Sequence, residues 1–145
     1  MLANARLLLA ALWAGSVWAV CYLAAPSAFA ALDSSRAGDV VGVMLTRSAW
    51  LAIALAVLLV PLVARARDID ARRRRWLFGL IAGMLACSLV VYLGLQPMMA
   101  AIRASAGANV RASPQWGMFA ALHGVSQLLY LVESILGVVL VVKSR

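Results

Sequence analysis

Acidic side chains are scarce in this chain. Its 145 residues include five Asp and Glu against 13 Lys and Arg, and charged residues make up 12% of the whole. A soluble domain carries about twice that charged share. With 66% hydrophobic side chains and a mean hydropathy of +0.98, a soluble globular domain is excluded, because one small core cannot hide so much apolar surface. A disordered chain is excluded on the same ground. Ten glycines and four prolines are too few for a collagen-like repeat. The two cysteines, Cys21 and Cys87, lie inside apolar runs and form no CxxC, so neither a disulfide scaffold nor a thiol-redox motif is present. There is no HExxH, no GxSxG, no phosphate loop and no pair of glutamates. No catalytic residues are therefore assigned, and an enzyme could work here only through a bound cofactor. The net charge of +8 comes from arginines set between apolar runs, not from a basic face interleaved with exposed aromatics, so no nucleic-acid partner is expected.

What is present is four long apolar stretches, about Ala5–Leu32, Val40–Ala64, Trp76–Met99 and Trp116–Val142. Each meets the ~20 residues a helix needs to cross ~30 Å of hydrocarbon. Backbone groups in lipid must be satisfied within the segment, and the alternation of a barrel strand is missing. The expected fold is an all-α integral membrane protein, one bundle of four transmembrane helices with the bilayer as its partner. Short loops join the spans, and Asp39 is expected to cap the second helix. The outer loop from Ala100 to Pro114 is expected to hold a short interfacial helix.

With four spans, Arg6, Arg65, Arg67, Arg72, Arg73, Arg74, Arg75, Lys143 and Arg145 share one side, and Arg36, Arg47, Arg103 and Arg111 the other. The positive-inside rule then places both termini in the cytoplasm, in a bacterial-type inner membrane. Ala28-Phe29-Ala30 before Ala31 has the form of a signal-peptidase site. The apolar run before it is longer than a usual signal segment, so an uncleaved first helix is expected.

Two stretches are alike: Val20-Cys21-Tyr22-Leu23-Ala24-Ala25-Pro26 and Val90-Val91-Tyr92-Leu93-Gly94-Leu95-Gln96-Pro97, each followed by Ala-Ala and then Ala-Gly (Ala37-Gly38 and Ala106-Gly107). They suggest two helical hairpins related as a parallel repeat. Both prolines are expected to kink or end their helices near the outer surface. Small residues at helical spacing, Ala11, Gly15 and Ala19 in the first span and Gly79, Gly83 and Cys87 in the third, are expected to pack helices together, either within the bundle or in a homodimer.

The fourth span carries the polar residues. His123, Ser126, Gln127, Tyr130, Glu133, Ser134 and Gly137 fall within an arc of roughly 120°. Polar side chains in hydrocarbon normally face the bundle interior or a cavity; the alternative is a purely structural hydrogen-bond ladder. Glu133 lies roughly 15 Å from the inner end, where it could bind a cation or relay protons. Tyr22, Pro26, Arg47, Tyr92, Pro97 and His123 are expected to line an outward cavity, with Gln127, Tyr130 and Glu133 below. His123 with Met98, Met99 and Met118 offers a candidate copper set, since thioethers and imidazole suit Cu(I). One histidine allows haem b only through His/Met ligation or across a dimer.

The opening Leu12-Trp13-Ala14-Gly15, followed by Ala25-Pro26-Ser27-Ala28-Phe29, the Gln96-Pro97 pair and Phe119-Ala120-Ala121-Leu122-His123-Gly124-Val125-Ser126 together resemble the domain of unknown function 4149 family, similar to transmembrane protein 205. The resemblance implies a small four-helix membrane protein without an established activity. More remotely it implies kinship with copper-resistance D-type proteins and a haem-binding membrane oxidase. This chain departs from the oxidase in having one histidine and one lysine. Three functions are consistent with these readings. They are small-ligand or metal binding associated with transport, an accessory subunit of a larger membrane complex, and, least favoured, a cofactor-bearing oxidoreductase.

Overall fold

The computed structural model describes residues 2–106 and 109–145. Four helices, each long and apolar enough to cross a membrane, account for nearly all of them: α1 (Leu2–Ala31), α2 (Ser34–Ala64), α3 (Ala71–Ala106) and α4 (Trp116–Lys143). Among the described residues there is no strand. The shortest of the four has 28 residues and at 1.5 Å per residue spans about 42 Å, more than the hydrocarbon core. The chain is a multi-pass, all-α membrane protein.

The helices overrun the apolar stretches at their polar ends, and the caps explain why. Asp33, not Asp39, caps α2, its carboxylate accepting from Arg36 N at 3.0 Å. Asp70 caps α3 in the same way, accepting from Arg73 N at 2.7 Å. The run Arg72–Arg75 is therefore the first turn of a helix and not a loop. At the far end α3 continues through Pro97 to Ala106, and a short 3-10 turn, Val110–Ala112, precedes α4. Gly107, part of the proposed repeat, lies outside the described residues.

Neither proline ends its helix. In an α-helix the proline ring collides with the carbonyl four residues back and leaves it without a donor. Here each proline follows a six-residue π-helical turn, Ala19–Ala24 in α1 and Val90–Leu95 in α3. Ala25 N donates to Val20 O and Gln96 N to Val91 O, both five residues back. The wider turn absorbs the misfit, and each begins seven residues before its proline. The two halves thus share a device as well as a sequence likeness. Aligned on their prolines, however, Tyr22 corresponds to Leu93, so Tyr22 and Tyr92 are not equivalent positions.

The helices form a ring in chain order, with α4 closing against both α3 and α1. Trp13, Leu59, Leu77, Met84 and Leu140 are completely buried between them. Among the described glycines the tightest is Gly137, where an added Cβ would lie 3.0 Å from Ala14 Cβ and 3.4 Å from Ala14 Cα. Gly83 packs against Leu136. Within the bundle Gly15 and Gly79 bring no helix close, since a Cβ on either would meet nothing within 4 Å. Ala11, Ala19 and Gly79 are exposed; the buried face of α1 is Arg6, Ala10, Trp13, Ala14 and Val17. Leu8, Leu23, Val57 and Leu93 stand outward, each more than 60% exposed, as lipid-facing residues do.

The end that carries both termini is tied by arginines. Arg6 is completely buried. Its guanidinium donates to Asp68 Oδ2 at 2.8 Å and to Ser144 O at 3.2 Å, joining α1, the α2–α3 loop and the end of α4. The bond from Arg6, aided by the charge of Arg73, holds the Asp68 carboxyl below the usual carboxylate range. Arg73 donates to Lys143 O at 2.8 Å and to Arg145 O, and Arg74 to Ala66 O at 2.6 Å.

Candidate functional site

The centre of the bundle holds one carboxyl group. Glu133, on the inner face of α4, is 0% exposed. Its Oε1 accepts from Ser88 Oγ of α3 at 2.7 Å and, more loosely, from Trp13 Nε1 of α1 at 3.4 Å. Its Oε2 is buried without a partner. Among the described residues no basic side chain lies within ion-pair distance of it. Helical spacing explains the arrangement on α4, where Ser126, Tyr130, Glu133, Ser134 and Gly137 all turn inward.

Beside the carboxyl lies a cavity of about 10 Å³ (the space open to a water's centre), lined by Val17, Val20, Cys21, Leu45, Ser48, Ala49, Ser88, Tyr130 and Glu133. That is room for about one water. A second, wider hollow of about 400 Å³ opens on the outside of the bundle between the first π-turn and α4, lined by Cys21, Tyr22, Gln127, Leu128, Tyr130 and Leu131. Cys21 and Tyr130 border both spaces. At the outer hollow, Tyr22 Oη and Ser134 Oγ share a hydrogen bond of 3.0 Å, and Ser134 Oγ reaches Tyr130 O at 2.8 Å.

The expected outward cavity is divided differently. Tyr22, Gln127, Tyr130 and Glu133 line these two spaces, whereas Pro26, Arg47, Pro97 and His123 are exposed and line neither. Tyr92 meets the edge of Trp50, with ring centroids 6.4 Å apart. His123 stacks on Phe119 at 6.2 Å, and Phe119 on Trp116 at 6.0 Å, in an aromatic ladder at the far end of α4. Met98 and Met118 are exposed and Met99 is buried. Among the described residues no group of three or more His, Cys, Asp and Glu is placed to hold a metal ion.

Sequence reasoning missed Trp13, Ser88, Ser48 and Cys21 as neighbours of Glu133. Trp13 carried a usable signal, since a tryptophan in the middle of a span must find a partner for its N–H. Nothing in the spacing within α1 or α3 points to a residue 120 or 45 positions away.

No curated protein and no solved structure matches the chain. The sequence profile of the family described as Domain of unknown function (DUF4149) matches residues 8–108. The match takes in α1 from Leu8, all of α2 and α3, and stops before α4, so Glu133 and the stretch around His123 lie beyond it. It spans well over half of the chain, and the chain belongs to the DUF4149 family.

Proposed function

We propose that this protein holds a small cation, a proton included, at Glu133, and that this site is the working part of a transport-associated membrane protein. The observation that carries the reading is the free Oε2 of a fully buried carboxyl facing a cavity. An unaccompanied carboxylate in a low-dielectric interior costs several kcal/mol or more. Its charge is therefore accompanied, and no Arg, Lys or His is at hand to do it. The cavity's size restricts the companion to a proton or one small ion, with about one water. Ser48, Ser88 and Tyr130 supply the remaining oxygens. The outer hollow borders the cavity at Cys21 and Tyr130 and supplies its way in from the outside of the bundle. The excess of basic residues on the side of the termini supports a cytoplasmic placement of both ends in a bacterial-type inner membrane.

Thermal unfolding of detergent-purified protein, measured in lithium, sodium, potassium and choline salts and across pH, tests this. Stability should depend on one of these cations or on pH, and Glu133→Gln should remove that part of the dependence. A wild type and variant with the same response to all four salts and to pH would overturn it.

A further inference from the structure

The arginines around the start of α3 divide into two groups. Arg73 and Arg74 turn inward and donate to Lys143 O, Arg145 O and Ala66 O. Arg65, Arg67, Arg72 and Arg75 are exposed, and among the described residues none of these four has an acidic partner. Residues 65–75 hold six arginines against two aspartates. Both aspartates are engaged, Asp68 with Arg6 and Asp70 at the cap. Arg72 and Arg75 are thus left unpaired at the positive end of the α3 dipole, which raises their mutual cost, whereas Arg65 caps the C-terminal, negative end of α2.

Arg72 and Arg75 are three residues apart and share a face of α3. Trp76, 57% exposed, stands beside them, as an indole does at a membrane interface. Below them on the same outward face come Gly79, Ala82 and Ala86, all exposed, and a Cβ on Gly79 would meet nothing. The face is cationic at headgroup level and smooth where acyl chains run.

We propose that this face of α3 seats an anionic phospholipid, its phosphate between Arg72 and Arg75 and an acyl chain along Gly79, Ala82 and Ala86. A second copy of the chain fits the same face less well. A two-fold interface places the same patch of each subunit against itself, which would set Arg72 and Arg75 of one copy against those of the other.

Trp76 is the reporter. In a background with Trp18, Trp50 and Trp116 changed to Phe, only Trp76 and the fully buried Trp13 remain. The protein is reconstituted in phosphatidylcholine vesicles containing brominated-acyl phosphatidylglycerol or, separately, brominated-acyl phosphatidylcholine. Phosphatidylglycerol should quench Trp76 preferentially, with an affinity advantage of about fivefold per arginine. R72Q/R75Q should lose the preference, R72K/R75K should keep most of it, and R111Q at the far end should leave it intact. Equal quenching by the two lipids, a preference that survives R72Q/R75Q, or a cross-linked dimer that shields Trp76 from both lipids would each overturn the proposal.

Discussion

The polar stripe of α4 has two halves with different surroundings. Toward the termini, Tyr130, Glu133, Ser134 and Gly137 are enclosed. Toward the far end, His123 and Gln127 are exposed and Ser126 between them is covered. Two glycines of α4, Gly137 within the stripe and Gly124 beside it on the neighbouring face, show how differently the two ends of the helix are covered. A Cβ on Gly137 would press on Ala14 at 3.0 Å, whereas a Cβ on Gly124 would meet nothing within 4 Å. Helical spacing decides which side chains share a face; whether that face is covered depends on what the neighbouring helices bring to it. Where α1 offers Ala14 and Trp13 and α3 offers Met84 and Ser88, the stripe is buried. Farther along, Ser126 alone stays covered, and His123 and Gln127 meet lipid or interface.

Changes at the glycines should break this contrast most strongly. Gly137→Leu has no room beside the Ala14 backbone, and we expect destabilisation of about 3 kcal/mol, the upper end of ordinary overpacking. Gly124→Leu should stay within about 0.5 kcal/mol of wild type, as a surface change does. Unfolding of both in mixed micelles by increasing SDS would check the pair, and equal effects would remove the distinction between the two ends of α4.

A second contrast sets Glu133 against His123. Glu133→Leu strands the Ser88 hydroxyl and the Trp13 N–H in the interior, at about 1–3 kcal/mol, while His123→Ala should cost no more than about 0.5 kcal/mol. Ser88→Ala removes a single hydrogen bond within the membrane and should cost about 0.6 kcal/mol. A double-mutant cycle of Ser88→Ala with Glu133→Gln would show whether that bond is shared between the two.

The smallest expected effect lies outside the bilayer. Asp68 is held ionised by Arg6 and its folded-state value lies below the ordinary 3.8. A depressed carboxyl contributes stability that is fully present above the unfolded value and is lost as pH falls through the folded one. Acid titration of unfolding should therefore show a loss below about pH 4 that Asp68→Asn abolishes. An unchanged acid limb in the variant would show that the Arg6–Asp68 pair does not couple to folding.

Much of the architecture was readable from the residues alone. Four helices follow from hydropathy and length, and the inward face of α4 from its spacing. The helix ends were not readable, because hydropathy fades where polar residues begin. Asp33 and Asp70 begin their helices in polar sequence, and four arginines continue α3 where apolar counting stops. The π-turns were also hidden, since Pro26 and Pro97 read as kinks or stops and only the backbone shows the wider turn that spares them. The site was half legible. Glu133 and Tyr130 announce themselves as polar groups in hydrocarbon, but Ser88, Ser48 and Cys21 reach them only through tertiary packing. Trp13 drew notice as part of a family-like opening, and the fold gives it a second meaning as a donor to Glu133. His123 drew notice because it is the only histidine, yet that rarity says nothing of the depth at which the bundle closes over its face.

The most direct test of the central claim is infrared difference spectroscopy of the reconstituted protein through a pH titration and an exchange of alkali cations. The account predicts one carboxyl signal, a protonated-acid band or a cation-sensitive carboxylate band, that is absent in Glu133→Gln. Carboxyl bands that respond to pH and to cation identically in the wild type and in Glu133→Gln would contradict it, and would leave Glu133 as a hydrogen-bonding tie between α1, α3 and α4.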